Sequence, residues 1–180
     1  MMRLAVTLVL LLSLVLPAAA QDCTIGTYSN PAGLLYDSFP TPLELTSFWV
    51  LIFAEDTAAA AAYSIEIPSN ILVQGHVWGP SGDGLVIEEP TGTNVALAEC
   101  ALGFGGLPVV VAEYQYIVLP GFCCAFITLG PNTSQDPEFP QYVTCTDVKK
   151  DCAVGPSLYI GHADPVEETS FSAVKALFNH

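Results

Sequence analysis

Positive charge is the scarcest feature of this chain: Lys and Arg number 4 against 18 Asp and Glu, for a formal net charge of −14. One of the four is Arg3, in the leader, which leaves Lys149, Lys150 and Lys175. Nucleic acid and anionic membrane surfaces are held mainly by Lys and Arg, so both are excluded as partners. Motifs for metal and catalysis are missing as well. No CxxC or HxxxH spacing occurs, and His76, His162 and His180 are scattered. The loop Gly79-Pro80-Ser81-Gly82-Asp83-Gly84 does not fit G-x-S-x-G. The glycines of Gly103–Gly106 lack the Lys and the helix that a phosphate loop needs. Two carboxylates suffice for a glycosidase, but 18 acids make their presence uninformative. No cofactor, no metal site and no catalytic set is expected, and the chain is not expected to be an enzyme.

Long apolar runs are confined to the start. Arg3 is a minimal positive region, Leu4 to Leu16 is apolar, and Ala18-Ala19-Ala20 is a small-residue cleavage site. That pattern predicts a signal peptide over residues 1–20, a mature chain from Gln21 and a secreted or cell-surface destination, with no membrane contact after cleavage. All six cysteines, Cys23, Cys100, Cys123, Cys124, Cys145 and Cys152, follow the leader. An even count in an exported chain predicts disulfides. The short loop from Cys145 to Cys152 suggests that these two pair, with Cys123 and Cys124 taking Cys23 and Cys100. A bond between Cys123 and Cys124 themselves is disfavoured, because it forces the intervening peptide out of strand geometry.

The stretch Leu107 to Leu129 organises the reading. Val109–Leu119 and Phe122–Leu129 are rich in Val, Ile, Tyr and Phe and flank Pro120-Gly121, which predicts a central hairpin. Leu45 to Ala54 is apolar on both faces, as in a strand covered on both sides. The alanines Ala58 to Ala62 are read as a connection, at most a helical turn. Tyr63–Ile67, Ile71–Trp78, Asn94–Leu102, Gln141–Thr146 and Ser157–Ile160 are further strands, and Cys23–Tyr28 is a short first one. Short strands at regular spacing with Gly/Pro turns predict an all-β immunoglobulin-like sandwich in one domain, residues 21–169, with a tail over 170–180. In that tail Phe171, Val174 and Phe178 recur at near-helical spacing, a candidate assembly segment.

Three surface features are candidates for binding. Trp78, beside a Gly/Pro loop, is the best exposed ring for stacking on carbohydrate, whereas Trp49 reads as core. Asn132-Thr133-Ser134 is a glycosylation sequon in a polar loop. The acids at Glu55-Asp56, Glu88-Glu89, Asp136/Glu138 and Asp147/Asp151 match no calcium-loop consensus and read as solvated loops.

The start CTIGTYSNPAG, the strands of TSFWVLIFAEDTAAAAAYSIEIP and the tail SFSAVKALFN resemble exported bacterial β-proteins, and the central strands are similar to those of cohesin-like and carbohydrate-binding sandwiches. The resemblance implies two sheets of roughly nine strands in all and a non-catalytic extracellular role. It carries over no site residue. The expected function is a secreted structural or interaction protein, such as a subunit of an extracellular fibre or surface assembly, with protein partners or self-assembly. The alternative is a carbohydrate-binding module.

Overall fold

A computed structural model describes residues 23–102, 107–120, 124–136 and 138–161. In chain order the strands are β1 (Cys23–Tyr28), β2 (Asp37–Ser38), β3 (Thr46–Ala54), β4 (Thr57–Glu66), β5 (Ile71–Trp78), β6 (Leu85–Glu89), β7 (Gly92–Leu102), β8 (Val109–Val118), β9 (Ala125–Gly130), β10 (Gln141–Val143), β11 (Lys149–Asp151), β12 (Ala153–Val154) and β13 (Leu158–Ile160). The prediction of an all-β sandwich holds, though short ladders raise the strand count above nine.

Alternation of side chains sets the two layers. On β3, Phe48, Val50 and Ile52 are fully buried in the core, and so are Val111 and Tyr116 of β8. One sheet runs β12-β1-β3-β8-β5. The other has the path β11-β10-β4-β9-β13-β2, with β7 on the far side of β4 and β6 beyond β7. Tyr63 of β4 meets Tyr114 of β8 across the core, hydroxyl to hydroxyl at 3.3 Å. Burial pushes both phenols up, Tyr114 to about 12. Along one side, the buried Thr27 of β1 closes the gap between layers. Its hydroxyl donates to Ile127 O at 3.1 Å and accepts from Leu158 N at 2.8 Å.

The expected central hairpin is not formed. β8 pairs with β3 and β5 in the first sheet, while β9 pairs with β4 and β13 in the second. The chain around Pro120 therefore crosses between layers. Both runs have a buried apolar row, and facing the same core from opposite sides buries both. The alanine run is also corrected: Ala58 to Ala62 lies inside β4. Its helix propensity is overridden by tertiary pairing with β7 on one side and β10 on the other.

Two disulfides correct the predicted pairing. Cys23 bonds to Cys152, and Cys100 bonds to Cys145. Proximity in sequence misleads because Cys145 sits at the turn of the β10–β11 hairpin. Cys152 lies at its open end, where Cys152 N donates to Pro140 O. Five extended residues separate those positions, roughly 16 Å. β1 and β12 run parallel with Thr24 opposite Ala153, which places Cys23 beside Cys152. Neither Cys23 nor Cys100 is thus a partner for the adjacent cysteines. Cys124 is exposed just ahead of β9, and Cys123 lies outside the described residues.

Candidate functional site

On the outer face of the second sheet, the strip where β4 meets β7 is built from small side chains. Register places Leu85, Ala96, Ala60, Val143 and Lys149 in one row across β6, β7, β4, β10 and β11. Ile87, Asn94, Ala62, Gln141 and Asp151 form the next row. The alternate residues Ala61 and Tyr63 turn the other way and are buried in the core, with Val95 opposite Ala61. Alanine at the centre of both rows leaves a trough of about 220 Å³. Five strands span about 19 Å, the length of roughly twelve helical residues.

One wall is apolar. Leu85 and Ile87 stand on edge strand β6 at 69% and 57% exposure. The other wall is polar and fixed by hydrogen bonds. Gln141 Nε2 donates to Asp151 Oδ1 at 2.8 Å and to Asp136 Oδ2 at 3.2 Å, which sets the orientation of the amide. Gln141 Oε1 is then a buried acceptor with no donor among the described residues. Asp136 also accepts from Glu138 N and Phe139 N, and these backbone donors hold its carboxyl below the ordinary 3.8. Opposite, Asn132 Nδ2 donates to Asn94 Oδ1 at 3.2 Å.

A local irregularity ties the two sides together. One residue of β4, Ala59, lies opposite four of β7, from Leu97 to Cys100. This bulge frees Cys100 to bond Cys145, which follows β10. The two strands flanking the alanines are thereby clamped by a disulfide that is exposed at Cys100.

The sites expected from sequence fall elsewhere. Trp78 is 8% exposed, with its ring against His76 and edge-on to Tyr114, so it offers no stacking platform. Its position at the end of β5, opposite Ala112, turns it to the core. Trp49 instead lies half-buried on the outer face of the first sheet, opposite Glu113 and Tyr28. Asn132 is 1% exposed; its Oδ1 accepts from Ser134 N, a closed turn rather than an open glycan acceptor. Phe171, Val174 and Phe178 lie outside the described residues. The acids are engaged by other protein groups: Asp56 pairs with Lys150, Glu89 accepts from Ser134 Oγ, and Asp136 and Asp151 share the Gln141 amide. Among the described residues no cluster of three metal-ligating side chains forms. The trough itself was missed. Its signal was the five alanines, discounted as a connection.

The strand order invites comparison with solved structures. A non-cellulosomal cohesin from the archaeon Archaeoglobus fulgidus superposes with a TM-score of 0.53 at 13% identity, over 83% of this chain and 97% of the cohesin. The fold is cohesin-like. The third ScaB cohesin of R. flavefaciens, solved in complex with a group 1 dockerin, gives 0.51 at 12% identity, over 83% of this chain and all (100%) of that one. The cohesin module of a Clostridium perfringens family 33 glycoside hydrolase gives 0.53 at 10% identity, over 78% and 95%. No protein-family model matches the sequence, and comparison with curated proteins finds no match. At such identities the likeness concerns the cohesin-like sandwich alone.

Proposed function

We propose that this cohesin-like chain is a non-catalytic interaction module, exported by its leader, that works outside the cell and docks a protein partner on the alanine trough. The observation that carries the reading is the cluster of Ala60, Ala62 and Ala96 on β4 and β7, uncovered among the described residues and walled by Leu85 and Ile87. A sheet face that exposes alanine at its centre admits the side chains of another segment without rearrangement. The R. flavefaciens cohesin bound to a dockerin supports it, in that a sandwich of this shape can carry a protein partner. The two disulfides suit an oxidising, extracellular setting.

The finer proposal is that the partner is another copy, which makes the chain a subunit of an extracellular fibre or surface assembly. Size-exclusion chromatography and electron microscopy of the exported chain test it. Ordered polymers that Ala62→Arg abolishes support self-assembly through the trough. A clean monomer at high concentration overturns self-assembly and directs the search to a different protein. The carbohydrate alternative loses its platform with the burial of Trp78.

A further inference from the structure

A second apolar patch lies on the same outer face, at the opposite end from the trough. Phe126 of β9 is directly opposite Tyr159 of β13, and Tyr159 is opposite Asp37 of β2. The rings of Phe126 and Tyr159 are 5.3 Å apart, and that of Phe39 is 6.2 Å from Tyr159. Phe126 and Phe39 are 56% and 55% exposed. Three aromatic rings in contact on a solvent face form a patch of the kind that normally meets another surface. Their neighbours in the strands point the other way, into the core: Ile127, Leu158 and Ile160 are fully buried, and Ser38 accepts from the buried Tyr116 hydroxyl. The patch is therefore not a displaced part of the core.

The chain itself leaves from this patch. Gly161 N donates to Ser38 O at 2.8 Å, and Phe39 packs so closely over Gly161 that a Cβ there would fall 2.5 Å from its ring. Residues 162–180 continue from that point. In their sequence Phe171, Val174 and Phe178 recur at near-helical spacing, with Lys175 next to Val174. Lysine is rare here, and Asp37 borders the patch. The stretch 162–170 spans at most about 30 Å, ample to return to the patch. A tether this short gives its own tail an effective concentration in the millimolar range, which a tail from another molecule must exceed to compete.

We propose that the face of Phe39, Phe126 and Tyr159 is the docking site of this chain's own C-terminal segment, seated by Phe171, Val174 and Phe178 with Lys175 towards Asp37. Docking covers the aromatic patch and leaves the trough as the open part of the sheet.

Hydrogen–deuterium exchange of the exported full chain tests this, read on peptides spanning 171–178 and on those from β3. The expected result is exchange of 171–178 about tenfold slower in the parent chain than in Phe39→Ser/Phe126→Ser, independent of protein concentration, with β3 unchanged. Phe171→Ser/Phe178→Ser, which alters no residue of the sandwich, should raise binding of a hydrophobic dye that Phe126→Ser then removes. Equal exchange in parent and patch variant overturns the proposal. Protection that fades on dilution also overturns it, since the tail then sits on a neighbouring copy. Ala62→Arg should leave the tail's protection untouched, so failure of the trough reading and failure of this one are told apart.

Discussion

The outer faces of the two sheets solve the same problem in opposite ways. On the first sheet the face carries large side chains, and the chain covers them itself. Leu51 is fully buried there, Phe53 packs on Tyr28 with ring centroids 5.4 Å apart, and the loop at Gly33 lies over both Leu51 and Phe53. On the second sheet the corresponding centre is alanine, and nothing among the described residues lies across it. Bulk that is covered contributes to the stability of the fold. A small-residue face left open contributes little to the fold and remains available to a partner.

Each sheet also has its own disulfide, one in the core and one at the surface, and these provide the largest test of the contrast. Cys23–Cys152 joins β1 to the start of β12 with both cysteines buried, and it spans 129 residues of sequence. Cys100–Cys145 spans 45 and is exposed at Cys100. Chain entropy assigns roughly 5 kcal/mol to the first and roughly 4 to the second. Denaturant unfolding of Cys23→Ser/Cys152→Ser and of Cys100→Ser/Cys145→Ser should show that order. In mild reductant, mass spectrometry after alkylation should find Cys100 and Cys145 labelled well before Cys152. Labelling of Cys152 first would break the distinction between a buried clamp and an accessible one.

Point substitutions sharpen it further. Gly33 has φ 68°, and a Cβ there would sit 2.2 Å from Phe53 Cζ. Gly33→Ala should lift the covering loop and cost about 2 kcal/mol, read as a lower denaturant midpoint. Ala62→Arg on the open face should change stability by no more than about 0.5 kcal/mol. Equal costs would mean that the alanine face is structural after all.

The tyrosine pair belongs to neither face, and it measures how far the two sheets share one core. Tyr63→Phe or Tyr114→Phe should each cost about 1 kcal/mol, by leaving the other hydroxyl buried and unpaired, and the double variant should cost less than the sum. Both phenols are raised by burial, so the folded state holds their protons more tightly than the unfolded one. Their contribution is complete below the ordinary value of 10.0 and is lost as pH rises from there through about 12. A Tyr63→Phe variant with an unchanged alkaline limb would contradict this.

The smallest effect is acidic. Asp136 has a lowered folded value, so its contribution is present above the ordinary 3.8 and fades as pH falls through the folded value. As pH falls below the ordinary 3.8, the Glu138 and Phe139 amides should lose protection relative to the unstructured exchange rate at the same pH, and Gln141 at the trough wall should loosen, while Gly33 on the other face stays protected.

Much of the fold was legible. Alternation in Tyr63–Ile67 and the apolar faces of Leu45–Ala54 mark strands because period two is a local property. What failed was local preference set against distant pairing. Ala58 to Ala62 favour a helix in isolation, yet β7 and β10 enclose them as a strand. Pro120-Gly121 suggests a hairpin, yet the flanking runs face one core from opposite sheets. Trp78 borders a glycine loop, yet its register opposite Ala112 turns it inward. Asn132 looks like a loop sequon, yet its amide is consumed by Asn94 and Ser134.

By itself the sequence determined the class: an acidic, cysteine-bearing, all-β chain with no metal-binding or nucleophile motif. Those properties follow from composition and from contacts between near neighbours. Only the tertiary structure decided which cysteines meet, which tryptophan is buried and which face stays open. Each of these depends on strand register across sequence separations as large as 129 residues. A shift of one residue in that register would turn every alanine of the trough to the other side of its sheet.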